Sequence, residues 1–264
     1  MPFRSRGAPN PQSPTRTGQT SLVATSTLTP TRPSPSRSSI GLKIVMAISG
    51  LYFVFFVLFH MYGNLKILIS GVAGFDDYAH HLREMFVPIL PYSGFLWLFR
   101  LSLILAVVLH VWSASTLWAR ANGARRTKYS VKSTVQRTLS SQAMRWGGIT
   151  LLLFILFHLA QFTVVKFTGD GRGGGDFIRD GVQSPGLLLI ASFQIWWVFV
   201  IYLLAMIALG LHLHHGTWSA FQTLGLTNTA KARATAKGLG LAVAAVVVLG
   251  FLVPPFLILV GVIK

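Results

Sequence analysis

The chain is 264 residues long, 52% hydrophobic and only 11% charged, with a mean hydropathy of +0.60, which excludes an ordinary soluble domain. Its formal net charge of +17 does not point to nucleic acid, because the basic residues lie in a tail and in alternate connections rather than on one clustered face. The chain has no cysteine, so disulfides and any iron–sulfur cluster held by it alone are excluded, and histidine is left as the main metal donor.

Residues 1–39 are rich in Ser, Thr, Pro and Arg and contain no acid. Such a segment buries too little apolar surface to offset the entropy of ordering, so a disordered basic cytoplasmic tail is expected. Pro9, Pro11, Pro14, Pro30, Pro33 and Pro35 break the amphipathic helix that a transit peptide needs. No cleaved secretory signal is expected, since the first long apolar run begins more than forty residues in.

Five apolar stretches follow, at about 42–68, 94–118, 144–167, 186–215 and 238–263. Each has the roughly twenty residues that a bilayer-spanning helix requires. The expected fold is all-α, an integral membrane five-helix bundle. Pro254 and Pro255 fall inside the last stretch, where a kink is expected.

The connections set the orientation. Arg120, Arg125, Arg126, Lys128, Lys132, Arg137 and Arg145 fill the second, and Lys231, Arg233 and Lys237 the fourth, with no acid in either or in the tail. All six acids lie in the first connection (Asp76, Asp77, Glu84) and the third (Asp170, Asp176, Asp180). This bias places the N-terminus in the cytoplasm and the C-terminus outside. Gly171, Gly173, Gly174 and Gly175 in the third connection follow a membrane helix rather than a strand and lack a Gly-Lys-Ser/Thr ending, so a flexible outer loop is expected, not a phosphate cradle.

Each of the first four stretches carries a histidine inside its apolar run, His60, His110, His158 and His212, and the fifth carries none. At about 1.5 Å per residue, His60 and His158 lie roughly 24 and 20 Å from the inner ends of their helices, and His110 and His212 roughly 15 and 10 Å. The four sort into two depths, one pair per level. Two imidazoles facing each other across a bundle form the axial ligation of a b haem, so two levels imply two haems. Histidines bonded to neighbouring helices as polar glue are the competing reading for a haem-free anchor. A proton-relay transporter would carry carboxylates in its spans, and this chain has none there.

Other residues are weaker candidates. Arg145 and Lys43 stand at inner helix ends, suited to haem propionates and equally to anchoring at the lipid surface. His215 lies one turn from His212 on the same face, while His214 points elsewhere. The group Asp76, Asp77, Tyr78, His80, His81, Arg83 and Glu84 has the chemistry to exchange protons with a quinone, but a solvated loop is the simpler reading. Quinone contacts are expected either at Tyr62, Asn64 and His81 with Glu84, or at Trp218, Ser219 and His215.

From about Ser39 onward the chain resembles the five-helix, dihaem cytochrome b membrane anchors of succinate dehydrogenase and fumarate reductase. The resemblance rests on His60 in Phe-His-Met-Tyr-Gly-Asn-Leu, His110 in Val-Val-Leu-His-Val-Trp, and Arg145 thirteen residues ahead of His158. It rests also on the block from His212 to Gly225, His-Leu-His-His-Gly-Thr-Trp-Ser-Ala-Phe-Gln-Thr-Leu-Gly. It implies His60 with His158 for an outer haem and His110 with His212 for an inner one. It further implies a flavoprotein subunit and an iron–sulfur subunit on the cytoplasmic face, with electrons from succinate reaching quinone, expected to be menaquinone. A bacterial inner-membrane location in the lipid bilayer follows, as does a complex able to form higher oligomers. Succinate oxidation and fumarate reduction share this anchor. The basic tail, the glycine-rich connection and the offset position of Glu84 depart from the family. Some related anchors lack one or both haems, and a membrane-embedded iron–sulfur centre using these histidines would need cysteines from a partner.

Overall fold

The computed structural model describes residues 38–123 and 139–264; most of the expected tail and of the basic second connection lie outside them. Long helices α1 (Ser39–Glu84), α2 (Gly94–Gly123), α3 (Leu139–Leu159), α5 (Trp196–Thr223) and α6 (Ala230–Leu259) carry the apolar runs, with a short α4 (Pro185–Phe193) before α5. A π-helical turn, Ala160–Val164, continues α3. Five helices are long and apolar enough to cross a membrane, α3 being counted together with this turn.

Helix α5 is the hub, packing against α6, α3 and α1, while α2 packs against α1. One buried cluster joins Ile67 of α1, Leu189, Ile190 and Phe193 of α4, Val198 and Tyr202 of α5 and Ile258 of α6. A second joins Leu213 of α5 to Ala244 and Val247 of α6, with Val54, Val57 and Leu58 of α1 against it. A Cβ on Gly240 would stand 2.7 Å from the carbonyl oxygen of His214, so the absence of a side chain there lets α6 lie directly on α5. Trp97, Leu101, Leu105, Val108 and Trp112, spaced three or four apart on α2, form an exposed apolar stripe of the kind a helix presents to acyl chains.

The helices differ in extent from the five expected segments. The stretch expected over 42–68 runs on to Glu84, interrupted at Gly71 with φ 66° and ψ −164°, a conformation essentially reserved for glycine. Tyr78 beyond the break packs on Gly63 before it, where a Cβ would lie 2.8 Å from its ring, and meets Tyr62 edge-on at 6.2 Å between centres. Fifteen residues of straight helix would span about 22 Å. The second limb, 72–84, is therefore folded back along the first. Asp76, His80, His81 and Glu84 stand on a helix rather than in the expected solvated loop.

Asp76 joins this limb to α4. One carboxylate oxygen accepts from Ser184 Oγ at 2.6 Å and the other from the Gly186 amide at 2.8 Å. Ser184 also caps α4, accepting from the Leu187 amide at 3.1 Å. Asp76 and Ser184 thus serve the Gly186 and Leu187 amides, which the first helical turn leaves unpaired, and Asp76 puts negative charge at the positive end of the helix dipole.

The single helix expected over 186–215 is two helices separated at Gln194 and Ile195, where Ile195 is extended (φ −95°, ψ 111°). The last helix begins at Ala230 rather than 238, capped by Thr229, whose hydroxyl accepts from the Ala232 amide at 3.1 Å. It continues through Pro254 and Pro255, both buried. The third connection, expected as a flexible loop, holds a small hairpin of β1 (Ile178–Arg179) and β2 (Val182–Gln183), antiparallel with Ile178 opposite Gln183. Asp180 and Gly181 join the strands with φ 52° and 78°, the positive angles that a two-residue type I′ turn demands. In the same connection the Arg172 guanidinium and the Thr168 hydroxyl hold the Asp170 carboxyl well below the usual carboxylate range.

Candidate functional site: two imidazole pairs

Four histidines, from within α1, α2 and α5 and from the last turn of α3, meet in two couples. His60 and His158 have ring centres 5.7 Å apart with planes at 79°. His110 and His212 have centres 6.3 Å apart with planes at 58°. Neither α1 with α3 nor α2 with α5 is among the closely packed helix pairs, so each couple bridges helices that are held apart by other contacts. All four rings are half-buried in the chain itself, so each keeps some accessible surface despite its position within a long apolar helix.

The couples lie at different heights. On α1, Ser49 contacts His110 while His60 contacts His158, and eleven residues of helix separate Ser49 from His60, about 16 Å. On α5, Tyr202 contacts His158 while His212 contacts His110, and the ten residues between them span about 15 Å. Two helices thus give the same separation independently.

Hydrogen bonds set the state of two rings. His158 Nδ1 lies 3.0 Å from the Tyr202 hydroxyl, whose proton is donated to Gln161 Oε1 at 2.9 Å. A phenol has one proton to give, so with Oε1 of Gln161 taking it the Tyr202 oxygen accepts from His158 Nδ1–H, an assignment that leaves Gln161 Nε2 buried without a partner. His110 Nδ1 lies 3.0 Å from Ser49 Oγ. That hydroxyl donates back to the carbonyls of Val45 (2.7 Å) and Met46 (3.2 Å), so it too accepts from Nδ1–H. In both rings the lone pair is left on Nε2, the arrangement of a neutral metal-ligating histidine with an outer partner on its other nitrogen.

Aromatic neighbours fix ring orientation. Phe56 stacks on His60 at 5.3 Å and Phe154 on His158 at 5.8 Å, each from four residues earlier on the same helix. The lower couple is flanked by glycines instead: a Cβ on Gly50 would meet His110 Cε1 at 3.3 Å, and one on Gly148 would meet His212 Cε1 at 3.8 Å. His212 Nδ1 is buried and has no hydrogen-bond partner.

These features suit a b haem at each couple. An iron bound by two imidazole nitrogens at about 2 Å each sets the ring centres about 6 Å apart. Among the described residues there is no group of three or more His, Asp or Glu able to enclose a bare ion. A two-histidine set suits a group that brings its other donors with it.

The remaining candidates are scattered. Arg145 is exposed, its guanidinium 5.9 Å from the Trp118 ring centre, and Lys43 is exposed near the start of α1. His215 packs against Trp218 at 5.9 Å, and Lys237 Nζ lies 5.5 Å from the same indole, so His215 and Trp218 share one patch with Ser219 adjacent in the chain. Tyr62 is exposed and carries Lys66 Nζ at 5.0 Å from its ring. Asn64 donates back to the His60 carbonyl at 2.8 Å. His81 is exposed, and Glu84 pairs with His80 at 3.5 Å. The structure therefore does not gather Tyr62, Asn64, His81 and Glu84 into one closed pocket.

Ser49, Tyr202 and Gln161 escape a reading of the sequence. Their bonds join residues 61, 44 and 41 apart in the chain, and serine, tyrosine and glutamine in apolar runs carry no periodic signal. Compared with known proteins, the chain matches no family, no curated protein and no solved structure.

Proposed function

We propose that this chain is the membrane-anchor subunit of a succinate:quinone oxidoreductase, holding one b haem between His60 and His158 and another between His110 and His212. In this reading a flavoprotein and an iron–sulfur subunit dock on its basic cytoplasmic face, the complex sits in a bacterial inner membrane, and quinone, menaquinone in the first instance, is the electron acceptor. The observation that carries the proposal is the pairing itself. Four histidines on four helices come together as two couples with ring spacings of 5.7 and 6.3 Å, close to the distance set by one iron.

When bound, the haems supply one-electron transfer at two heights in the bundle. The chain's own part is to present neutral Nε2 donors, to hold the rings with Ser49, Tyr202, Phe56 and Phe154, and to keep water from them with apolar helices. Arg145 and Lys43 supply positive charge for propionates, and His215 with Trp218 and Ser219 forms the better-gathered of the two candidate quinone patches.

A haem-free anchor is the second reading, supported by the edge-to-face contact of His60 with His158 within a surround that includes Phe56, Phe154, Phe162 and Phe251. A reduced-minus-oxidised visible spectrum of the purified complex separates the two. A b-type α-band is expected. Its absence sinks the haem reading, and iron and sulfide analysis then tests for a cluster that shares ligands with a partner.

A further inference from the structure

We infer that Tyr202 and Ser49 are positioning residues for His158 and His110, each setting the ring proton on Nδ1 and through it the potential of its own centre. The inference rests on the haem reading above and deepens it.

Each hydroxyl contacts only one ring of its couple. The Tyr202 hydroxyl faces His158 Nδ1, and the Ser49 hydroxyl faces His110 Nδ1. Their partners across the couple differ: His212 Nδ1 is buried and unpartnered, and His60 is held by ring contacts with Phe56 and Phe251. In the first couple His158 is thus held by a hydrogen bond and His60 by ring contacts, and in the second only His110 has a hydrogen bond.

The two locks are not equivalent. Tyr202 is buried and passes its proton to Gln161, which is 1% exposed and lies in the π-helical turn directly after α3. A hydroxyl that donates into such a chain becomes a stronger acceptor, so the link from His158 through Tyr202 to Gln161 is cooperative. Beyond His110, Ser49 bonds only to carbonyls of its own preceding turn. An acceptor on Nδ1–H raises the basicity of the ligating nitrogen and so favours the oxidised metal. Removing either hydroxyl should therefore raise the potential of its own centre and leave the other in place.

The test is Tyr202→Phe and Ser49→Ala in the purified complex, reading haem content, the midpoint potential of each b component and the electron paramagnetic resonance positions of the two low-spin signals. Tyr202→Phe is expected to raise the potential of one component and shift one signal, and Ser49→Ala to do the same to the other component. Ser49→Thr, which keeps the hydroxyl, restores the wild-type values. Unchanged potentials and signals at full haem content overturn the inference. If Tyr202→Phe fails to assemble, the Ala/Thr contrast at position 49 decides the same question. A wild-type complex with no b band is instead a failure of the haem reading. The positioning role is then read by ¹⁵N NMR of the full chain with labelled histidine, where His158 and His110 should carry their proton on Nδ1 and lose that preference in Tyr202→Phe and Ser49→Ala. Unaltered tautomers overturn it.

Discussion

His158 faces His60 at 5.7 Å between ring centres, although α3 and α1 are not closely packed helices. The separation of the two helices is kept by contacts elsewhere, α3 on α5 and α1 on α5, α6 and α4. A pair of polar rings spanning such a gap is an expensive way to fill it, because each ring carries donors and acceptors that an apolar side chain would not.

Loss of one ring should therefore remove one centre and spare the other. In the purified complex, His158→Ala is expected to lose about half of the b-type absorbance, and His212→Ala the other half. The check is the reduced-minus-oxidised spectrum with a pyridine haemochrome count. Two variants that kept full absorbance, or that each lost all of it while still assembled, would contradict the pairing.

Gly50 lies where a side chain would press on His110. Its Cβ would sit 3.3 Å from the ring, tight enough that Gly50→Ala requires a shift of a few tenths of an ångström, whereas Gly50→Leu places further carbons in the ring's space. The larger change should cost about 1–3 kcal/mol by overpacking and abolish the His110/His212 component selectively. Thermal unfolding and the difference spectrum read the two effects separately.

Asp76 holds the folded-back limb of α1 to the start of α4. Asp76→Ala leaves the Ser184 hydroxyl and the Gly186 amide without their acceptor, and it should destabilise that end by about 1–3 kcal/mol. Hydrogen exchange is expected to rise at Gly186 and along 72–84, with both absorbing components unchanged. Exchange that stayed at wild-type rates would show the link to be dispensable.

The orientation read from the Lys/Arg bias can be tested directly, because a chain without native cysteine takes a single thiol label cleanly. In intact cells, Asp180→Cys should react with an impermeant maleimide, and Lys231→Cys should react only after the membrane is opened. The reverse result would invert the proposed topology.

Much of this arrangement can be read in the residues, and the parts that cannot have a physical reason. Runs of twenty apolar residues declare themselves, and a fixed rise per residue sorts four histidines into the couples that the structure brings together. The fold-back after Gly71 is hidden because Gly71, Gly74, Asp76 and Asp77 look like an ordinary connection; the second limb is held by Tyr78 on Gly63 and by Asp76 on α4, which are tertiary contacts. The division at Ile195 is hidden for the opposite reason, since Leu187 to Leu204 stays predominantly apolar across it. The outer partners of the imidazoles come from distant positions, and no local spacing marks them.

The bond between Asp76 and α4 also dictates an order of events. Ser184 and Gly186 follow Asp76 by 108 and 110 residues, so during synthesis the limb beyond Gly71 has only its own helix to pack on, through Tyr78 and Gly63, until α2, α3 and the first turn of α4 have emerged. Sealing of that end of the protein is consequently a late event in its biogenesis, and until then the hinge at Gly71 stays unlatched from α4.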